Sequence, residues 1–493
     1  MSQYWILAAI GLPVLGSLLI PLLPFSNRRG MCLYTEAVVL LTSVIVGLLL
    51  MGDTTEVFHV VHFVNDLSIS FKIDGMTVVF AGLIGVLWPL ATLYAFEYME
   101  HAVHEKAFFM FYTMTYGVTL GIAFASDMVT MYFFYELLTL VTVPLVMHSL
   151  NRESILAVRK YLYYSIGGAA FAMMGMIFLI IYGDTCEFTL GGVLSNAAMA
   201  KHGPLLLWIY FFSFMGFGVK AAVWPLSSWL PQAGVAPTPV TALLHAVAVV
   251  NAGAFAIIRL TYYSFGTEFL HGTWVQTAAM AVAMFTIVYG CSRALKETHI
   301  KRRLAWSTVS NLSYIVFGAT IMTPLGLVGA LSHFVFHGFM KMCSFLCAGA
   351  FMHQTGRSYV YEMDGMGRRM KVVFGCFTVS ALGLMGVPGF AGFISKWNLT
   401  AAAVESGNVL AYGGIACLLI SALLTAIYML NIVIRAFFPK QEIAVGEAKD
   451  PSWRMCIPLL VCAGSVVLFG LFSEPLISFF RDVAAGICWK GAV

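Results

Sequence analysis

Residues 218–259 read GVKAAVWPLSSWLPQAGVAPTPVTALLHAVAVVNAGAFAIIR. Lys220 stands near the end of an apolar run, LLLWIYFFSFMGFGVKAAV, that holds no other charge. Trp224 and Pro225 follow it, then Pro231, Pro237 and Pro239, and then a second apolar run carrying His245. A charge at bilayer depth costs about 3 kcal/mol on insertion scales, so it normally faces a protein interior or a water-filled cavity. Prolines beside it free backbone carbonyls and amides, which membrane depth tolerates only where the helix lines such a cavity. A lysine, a proline break and a histidine in this order point to a place where a proton or another cation crosses. The bland alternative is a lysine that reaches up to the interface beside an ordinary proline-terminated helix.

Composition excludes most other classes. Of the 493 residues 60% are hydrophobic and 10% charged, where soluble domains carry roughly 25% charged. The chain is therefore an all-α polytopic membrane protein with almost no extramembrane domain. Its net charge of +4 calls for no nucleic-acid partner, because the basic residues fall in short loops. The ten cysteines are scattered singly. Cys343 and Cys347, one helical turn apart, match neither a zinc site nor an iron–sulfur ligand run and read as inert packing residues. The apolar N-terminus has its arginines, Arg28 and Arg29, after the run rather than before it. That argues for a retained first helix whose start lies outside.

About fourteen apolar segments can each cross a bilayer: 3–24, 31–51, 74–96, 106–125, 128–149, 157–182, 204–223, 238–262, 273–292, 304–322, 325–352, 371–403, 410–434 and 455–480. Most of the 27 Lys and Arg fall in loops after odd-numbered segments, among them Arg28, Arg152, Arg293, Lys301, Arg302, Arg303, Arg368 and Lys440. Loops after even-numbered segments hold only Lys72 and Lys201, with Arg481 and Lys490 in the tail. Positive charge stays inside, which puts both termini on the extracytoplasmic side. The outer loop from Gly52 to Asp74 alternates apolar and polar residues and is expected to form a short hairpin, with His59 and His62 as surface residues.

Buried charge marks the remaining candidates. The fifth segment buries Glu136 with no basic residue within a turn of it, so its partner must come from another helix; Lys220 is the nearest candidate by elimination. On the eleventh segment His333, His337 and Lys341 recur every four residues. They share one face and climb roughly 12 Å. A proton relay is the favoured reading, over a hydrogen-bonded polar seam or haem ligation. The twelfth segment repeats the design of the seventh: an apolar run, then GVPGFAGFISK with Pro388 and Gly389, then Lys396. Two broken helices, at Pro225 and Pro231 and again at Pro388 and Gly389, point to two inverted five-helix repeats, segments 4–8 and 9–13. The expected organisation is three N-terminal helices over 1–105, a first repeat over 106–262, a second over 263–437, and a loop with the last helix over 438–493.

At these residues the chain resembles the antiporter-like subunits shared by respiratory complex I, Mrp-type cation/proton antiporters and membrane-bound hydrogenases. The most specific match is Lys220 followed by PLSSWLPQA and PTPVTALLHA; KRRLAWSTVSNLSYI (301–315), HFVFHGFMK (333–341) and GFISK (392–396) follow in the family's order. The resemblance spans roughly residues 74–440. It implies the fourteen-helix fold with inverted repeats, Glu136 paired with Lys220, His245 and Lys341 on a central hydrated axis, and Lys396 as the terminal lysine. His245 together with Lys396 is similar to the most distal complex I pump and its Mrp relatives. The implied setting is the inner (plasma) membrane of a prokaryotic cell.

Three functions compete. The first is a proton-translocating subunit of a redox-driven complex. The second is a subunit of an Mrp-type sodium/proton antiporter without redox chemistry. The third is a structural, quinone-binding or haem-binding membrane anchor, which would have no need of the buried lysines. The sequence contains no nucleotide loop, metal-ligand spacing or catalytic triad. The driving reaction is accordingly expected on another chain, with this one a translocase subunit that carries no redox centre or cofactor. Its expected partners are other membrane subunits, the lipid bilayer, protons and Na+, and a peripheral redox module bearing flavin or iron–sulfur clusters.

Overall fold

In the computed structural model residues 3–52, 56–64, 67–439 and 448–486 are described. Both termini, to which the extracytoplasmic assignment refers, and the basic residues Lys440 and Lys490 lie outside them. The helices in order are α1 Tyr4–Leu22, α2 Arg28–Leu50, α3 Gly75–Tyr98, α4 Glu105–Phe124, α5 Met128–Val146, α6 Arg152–Tyr182, α7 Asn196–Gly218, α8 Leu230–Ala233, α9 Thr238–Ala246 and α10 Val249–Ile258. There follow α11 Thr267–Leu270, α12 Trp274–Lys296, α13 Ile300–Ile321, α14 Pro324–Thr355, α15 Met366–Arg369, α16 Lys371–Met385, α17 Ala391–Glu405, α18 Val409–Phe437, α19 Trp453–Leu471 and α20 Glu474–Ala484. Among the described residues, eleven helical spans are long and apolar enough to cross a membrane, α9 and α10 counting as one. α13 starts with Lys301, Arg302 and Arg303, and the α16–α17 segment is split into two halves of 15 residues.

Short polar side chains fix where these helices begin. Asn27, Asp74, Asp127, Asn151 and Thr323 each accept a hydrogen bond from the backbone amide three residues on, at 2.7–3.0 Å, which satisfies amides that have no partner inside the helix. The loop between α2 and α3 is the expected hairpin: β1 (Phe58–Val64) pairs antiparallel with β2 (Leu67–Phe71). His59 and His62 lie exposed on it. β2 rests on the start of α5, where the Ser70 amide donates to Thr130 Oγ1 at 2.9 Å and the Ser70 hydroxyl donates to Asp127.

Burial sorts the spans. α9, α10 and α14 are wholly enclosed by protein, whereas α1, α2, α6, α18 and α19 present much of their surface outward. His245 on α9 and His333, His337 and Lys341 on α14 are accordingly 0% exposed. Three interruptions lie beside them. α7 ends at Gly218, and irregular chain carries Lys220 and Pro225 to the four-residue α8, which contains Pro231. α16 and α17 are parted by a turn in which Gly386 and Gly389 sit at φ 86° and 90°, a left-handed conformation that glycine adopts without cost.

The third interruption departs from the sequence expectation. The eighth segment, which reads as one span over 238–262, breaks between Ala246 and Val249 with no proline at the break. The Asn251 side chain donates to the freed Ala246 carbonyl at 2.9 Å and so replaces the lost backbone bond. A π-helical turn, Arg259–Phe265, closes this segment, and the repeat boundary expected after residue 262 falls inside it. The last segment is likewise two helices, with α20 bending away after Leu471 and covering its Ile477–Phe480–Val483 face.

Candidate functional site

Lys220 lies in irregular chain just past the end of α7, 1% exposed. Its ammonium donates to the main-chain carbonyl of Tyr135 on α5 and sits 3.4 Å from the centre of that residue's ring. A carbonyl oxygen has two lone pairs, so it can accept this bond beside its helical one. Nearby, Trp229 Nε1 donates to the Val219 carbonyl at 2.8 Å and holds the open end of α7. Gly253 on α10 lies against the chain at Lys220 and Ala221; a Cβ there would come 2.7 Å from the Lys220 carbonyl carbon. Glycine is required at that crossing because the backbones touch.

Glu136 follows Tyr135 directly. Among the described residues it forms no ion pair within 4.0 Å, and its Oε1 is buried without a hydrogen-bond partner. Lys220 is nonetheless the charge that acts on Glu136, and Glu136 the one that acts on Lys220. The two are neighbours without a direct bond, because the Tyr135 carbonyl holds the ammonium.

His245, in the last turn of α9, is fully buried, stacks on Phe345 at 4.7 Å and has no protein partner on either ring nitrogen. The charges that reach it are Lys341 and Lys301. On α14, His333, His337 and Lys341 are all fully buried. His333 Nδ1 bonds Ser395 Oγ at 2.9 Å, the His333 and His337 rings lie 6.0 Å apart, and both nitrogens of His337 lack a protein partner. Lys341 donates to Ser307 Oγ at 2.7 Å and to the Leu304 carbonyl at 3.3 Å. Buried polar atoms almost always find a partner, so a row of orphaned imidazole nitrogens suits a place where ordered water bridges them.

The second break explains Lys396. α16 ends at Met385 with its last carbonyls free, as every helix does. Lys396, one turn into α17, donates to the carbonyls of Leu384 and Met385 at 2.7 and 2.9 Å, where the negative end of the helix dipole favours a cation. The structure thus gathers the fully buried Lys341, His333, His337 and His245 with the half-buried Lys396 into one group, and sets Glu136 with Lys220 as a second. Among the described residues no hydrogen bond or ion pair joins Lys220 to His245.

Two basic residues, Lys301 and Arg303, lie elsewhere than the sequence suggests. Lys301, expected with Arg302 and Arg303 in an inner loop, lies in the first turn of α13. It is 4% exposed and donates to the Ala236 carbonyl at 2.7 Å, within electrostatic reach of His245. A run of three basic residues looks like a solvated cluster, but the helical turn points the first and third inward and leaves the second, Arg302, facing out. Arg303 is also buried, donating to the Glu297 and Tyr428 carbonyls. Arg259, at the end of α10, is spent structurally: its guanidinium binds Asp74 bidentately at 2.6 and 2.8 Å.

Comparison with known proteins places this geometry. Residues 125–425 match the family described as NADH:quinone oxidoreductase/Mrp antiporter, TM. The chain is 29% identical over 403 residues to an NADH-quinone oxidoreductase subunit, designated N, of Desulforudis audaxviator, covering 79% of each. It is 29% identical over 498 residues to a Na(+)/H(+) antiporter subunit of Alkalihalophilus pseudofirmus, covering 94% of this chain and 60% of that one. Its fold superposes on a chain of the Mrp complex from Dietzia sp. with a TM-score of 0.84 at 19% identity, covering 99% of this chain and 98% of that one. A chain of the archaeal membrane-bound sulfane sulfur reductase gives 0.85 at 20% identity, with the same coverage. The matched stretch runs from just before α5 into α18 and contains every buried lysine and histidine described above, so the chain belongs to the NADH:quinone oxidoreductase/Mrp antiporter transmembrane family.

Proposed function

We propose that this chain is the proton-translocating, antiporter-like subunit of a multisubunit ion-pumping redox complex. The observation that carries the reading is the row of buried amines and imidazoles, Lys220, His245, Lys301, His333, His337 and Lys341, that leads to the half-buried Lys396 at the second helix break. Burial disfavours the charged form of an ammonium, which lets buried lysines exchange protons that exposed ones would keep. In this reading Glu136 and Lys220 form the gate; His245, Lys301, His337, Lys341 and His333 form the axis; Lys396 is its far end. Moving Lys220 away from Glu136 withdraws the charge that favours its protonated form and releases the proton toward the axis. The driving chemistry, with any flavin or iron–sulfur cluster, would sit on partner subunits. The chain would lie in the prokaryotic inner membrane with both ends outside.

A specific observation favours the second reading, an Mrp-type antiporter subunit without redox chemistry. A relative over 94% of this chain is named as part of a Na(+)/H(+) antiporter, and the same buried residues would serve. Purification of the intact complex separates the two: co-purifying flavin or iron–sulfur proteins support the redox assignment, and small membrane subunits alone support the antiporter. Proton movement into liposomes carrying the complex tests the shared core. A complex that moves neither protons nor Na+ under a driving gradient would reject both.

A further inference from the structure

Helices α12, α13 and α18 meet beside the axis, and their polar side chains are joined to one another. Tyr314 donates its hydroxyl to Ser421 Oγ at 2.7 Å. Ser421 Oγ lies 2.9 Å from Cys291 Sγ, which lies 3.5 Å from Thr425 Oγ1, itself 3.1 Å from the Tyr428 hydroxyl. Tyr428 donates to Ser307 Oγ at 2.7 Å, and Ser307 is the partner of Lys341 at 2.7 Å. All six groups are buried. At the far end Lys396 Nζ stands 5.4 Å from the centre of the Tyr314 ring.

The two bonds with a fixed donor, Tyr314 to Ser421 and Tyr428 to Ser307, point the same way along the chain of contacts. The three between them accept either direction, because hydroxyls and thiols both donate and accept. From Tyr314 to Ser307 the protein therefore supplies unbroken contacts in one consistent sense; the last contact, in which the Lys341 ammonium donates to Ser307, reverses when a neutral Lys341 amine accepts from Ser307. The imidazole route is different, since His337 has no protein partner on either nitrogen. Cys291 is the only described group that joins the Ser421 side to the Thr425 side. Ser310 touches both Cys291 and Ser421, at 3.1 Å each, but is a side branch that also donates to the Ile287 carbonyl at 2.8 Å.

We propose that protons travel from Lys396 to Lys341 through this hydroxyl–thiol relay, Tyr314–Ser421–Cys291–Thr425–Tyr428–Ser307. One proton leaves the Lys396 ammonium through a bridging water to Tyr314. Each O–H or S–H gives up its own proton as it receives one, and neutral Lys341 takes the last from Ser307. Only N–H, O–H and S–H bonds form and break, and nothing is oxidised. The inference rests on the proton-translocating reading above.

The test is proton flux through the intact complex in liposomes, with assembly checked for every variant. Cys291→Ala and Tyr428→Phe are expected to slow flux by at least about tenfold, and Cys291→Ser to recover most of it because a hydroxyl relays as a thiol does. Ser310→Ala removes a group of similar size beside Cys291 but leaves the chain of contacts whole, and is expected to conduct. Wild-type flux in assembled Cys291→Ala would overturn the relay, as would an equal loss in Ser310→Ala, which would point to packing. A wild-type complex that moves no protons would instead reject the underlying reading, so the two failures are distinguishable.

Discussion

Lys220 holds the main-chain carbonyl of Tyr135, one residue short of the Glu136 carboxylate whose charge it feels. The ammonium is thus tied to the backbone of α5 rather than to the acid, and a small shift along α5 would exchange one oxygen for the other. The proposed gate requires such a second position for the buried charge.

Lys220→Ala is expected to abolish proton transport while the complex still assembles. Desolvating the ammonium costs stability, so its removal should not lower the melting temperature. Transport assays on the purified variant check this; an assembled variant that pumps normally would reject Lys220 as a carrier.

Glu136→Gln keeps the shape of the side chain and removes its charge. Lys220 then loses the opposite charge beside it, and transport is expected to fall about tenfold, the effect of about 1.4 kcal/mol. Glu136→Asp, which keeps the charge on a shorter arm, is expected to fall less. Wild-type flux in the Gln variant would mean that Glu136 is a protonated packing residue.

Asp74 and Arg259 form a bidentate pair in which the guanidinium is 1% exposed. Breaking such a pair from one side costs about 3 kcal/mol, because the remaining charge is left uncompensated. Asp74→Asn is therefore expected to lower the thermal stability of the complex markedly. Replacing both members with apolar residues should recover part of the loss. A thermal melt of the single and double variants decides it.

Gly253→Ala changes no ionisable group, yet a Cβ at that crossing meets the backbone of Lys220 and Ala221. Relief requires the chain carrying Lys220 to move away from α10, at a cost of about 1–3 kcal/mol. Transport is expected to drop although every proton carrier is present. Retention of full flux would mean that the position of Lys220 is not tightly set.

Much of this is legible in the sequence. Helix starts follow from Asn27, Asp74, Asp127 and Thr323, whose capping depends on local spacing alone. Pro225 and Pro388 mark the irregular stretches that follow α7 and α16, although α7 already ends at Gly218 and Pro231 sits in the first turn of α8. The break after Ala246 is not legible, because it rests on a tertiary rescue by Asn251 in a run of alanine and valine that reads as continuous. The relay groups are hidden for a related reason. Cys291, Ser307 and Tyr314 lie on α12 and α13, Ser421 and Thr425 on α18 about a hundred residues later, and each alone looks like packing. Glu136, Lys220, Lys341 and Lys396 stand out because a charge in an apolar run is costly wherever it is met.

Lys301 and Arg302 are adjacent in sequence, and the fold separates their roles. Lys301 is 4% exposed and bound to the Ala236 carbonyl in the irregular chain just before α9. Arg302 is exposed and pairs with Glu153 at 2.6 Å, with side-chain exposures of 42% and 60%. An exposed pair of that kind contributes about 0–1 kcal/mol, so Arg302→Ala is expected to leave stability and transport near wild type. Lys301→Ala removes a buried amine within electrostatic reach of His245 and should cut transport severalfold without preventing assembly. If Lys301 served only to anchor α13 to the Ala236 carbonyl, Lys301→Arg, which keeps a cationic donor but gives up protons far less readily, would conduct normally once assembled. If Lys301 carries protons, the Arg variant assembles and conducts poorly. Flux and melting temperature measured together for Lys301→Ala, Lys301→Arg and Arg302→Ala separate an anchor from a carrier, and equal behaviour of the Lys301 and Arg302 variants would remove Lys301 from the pathway.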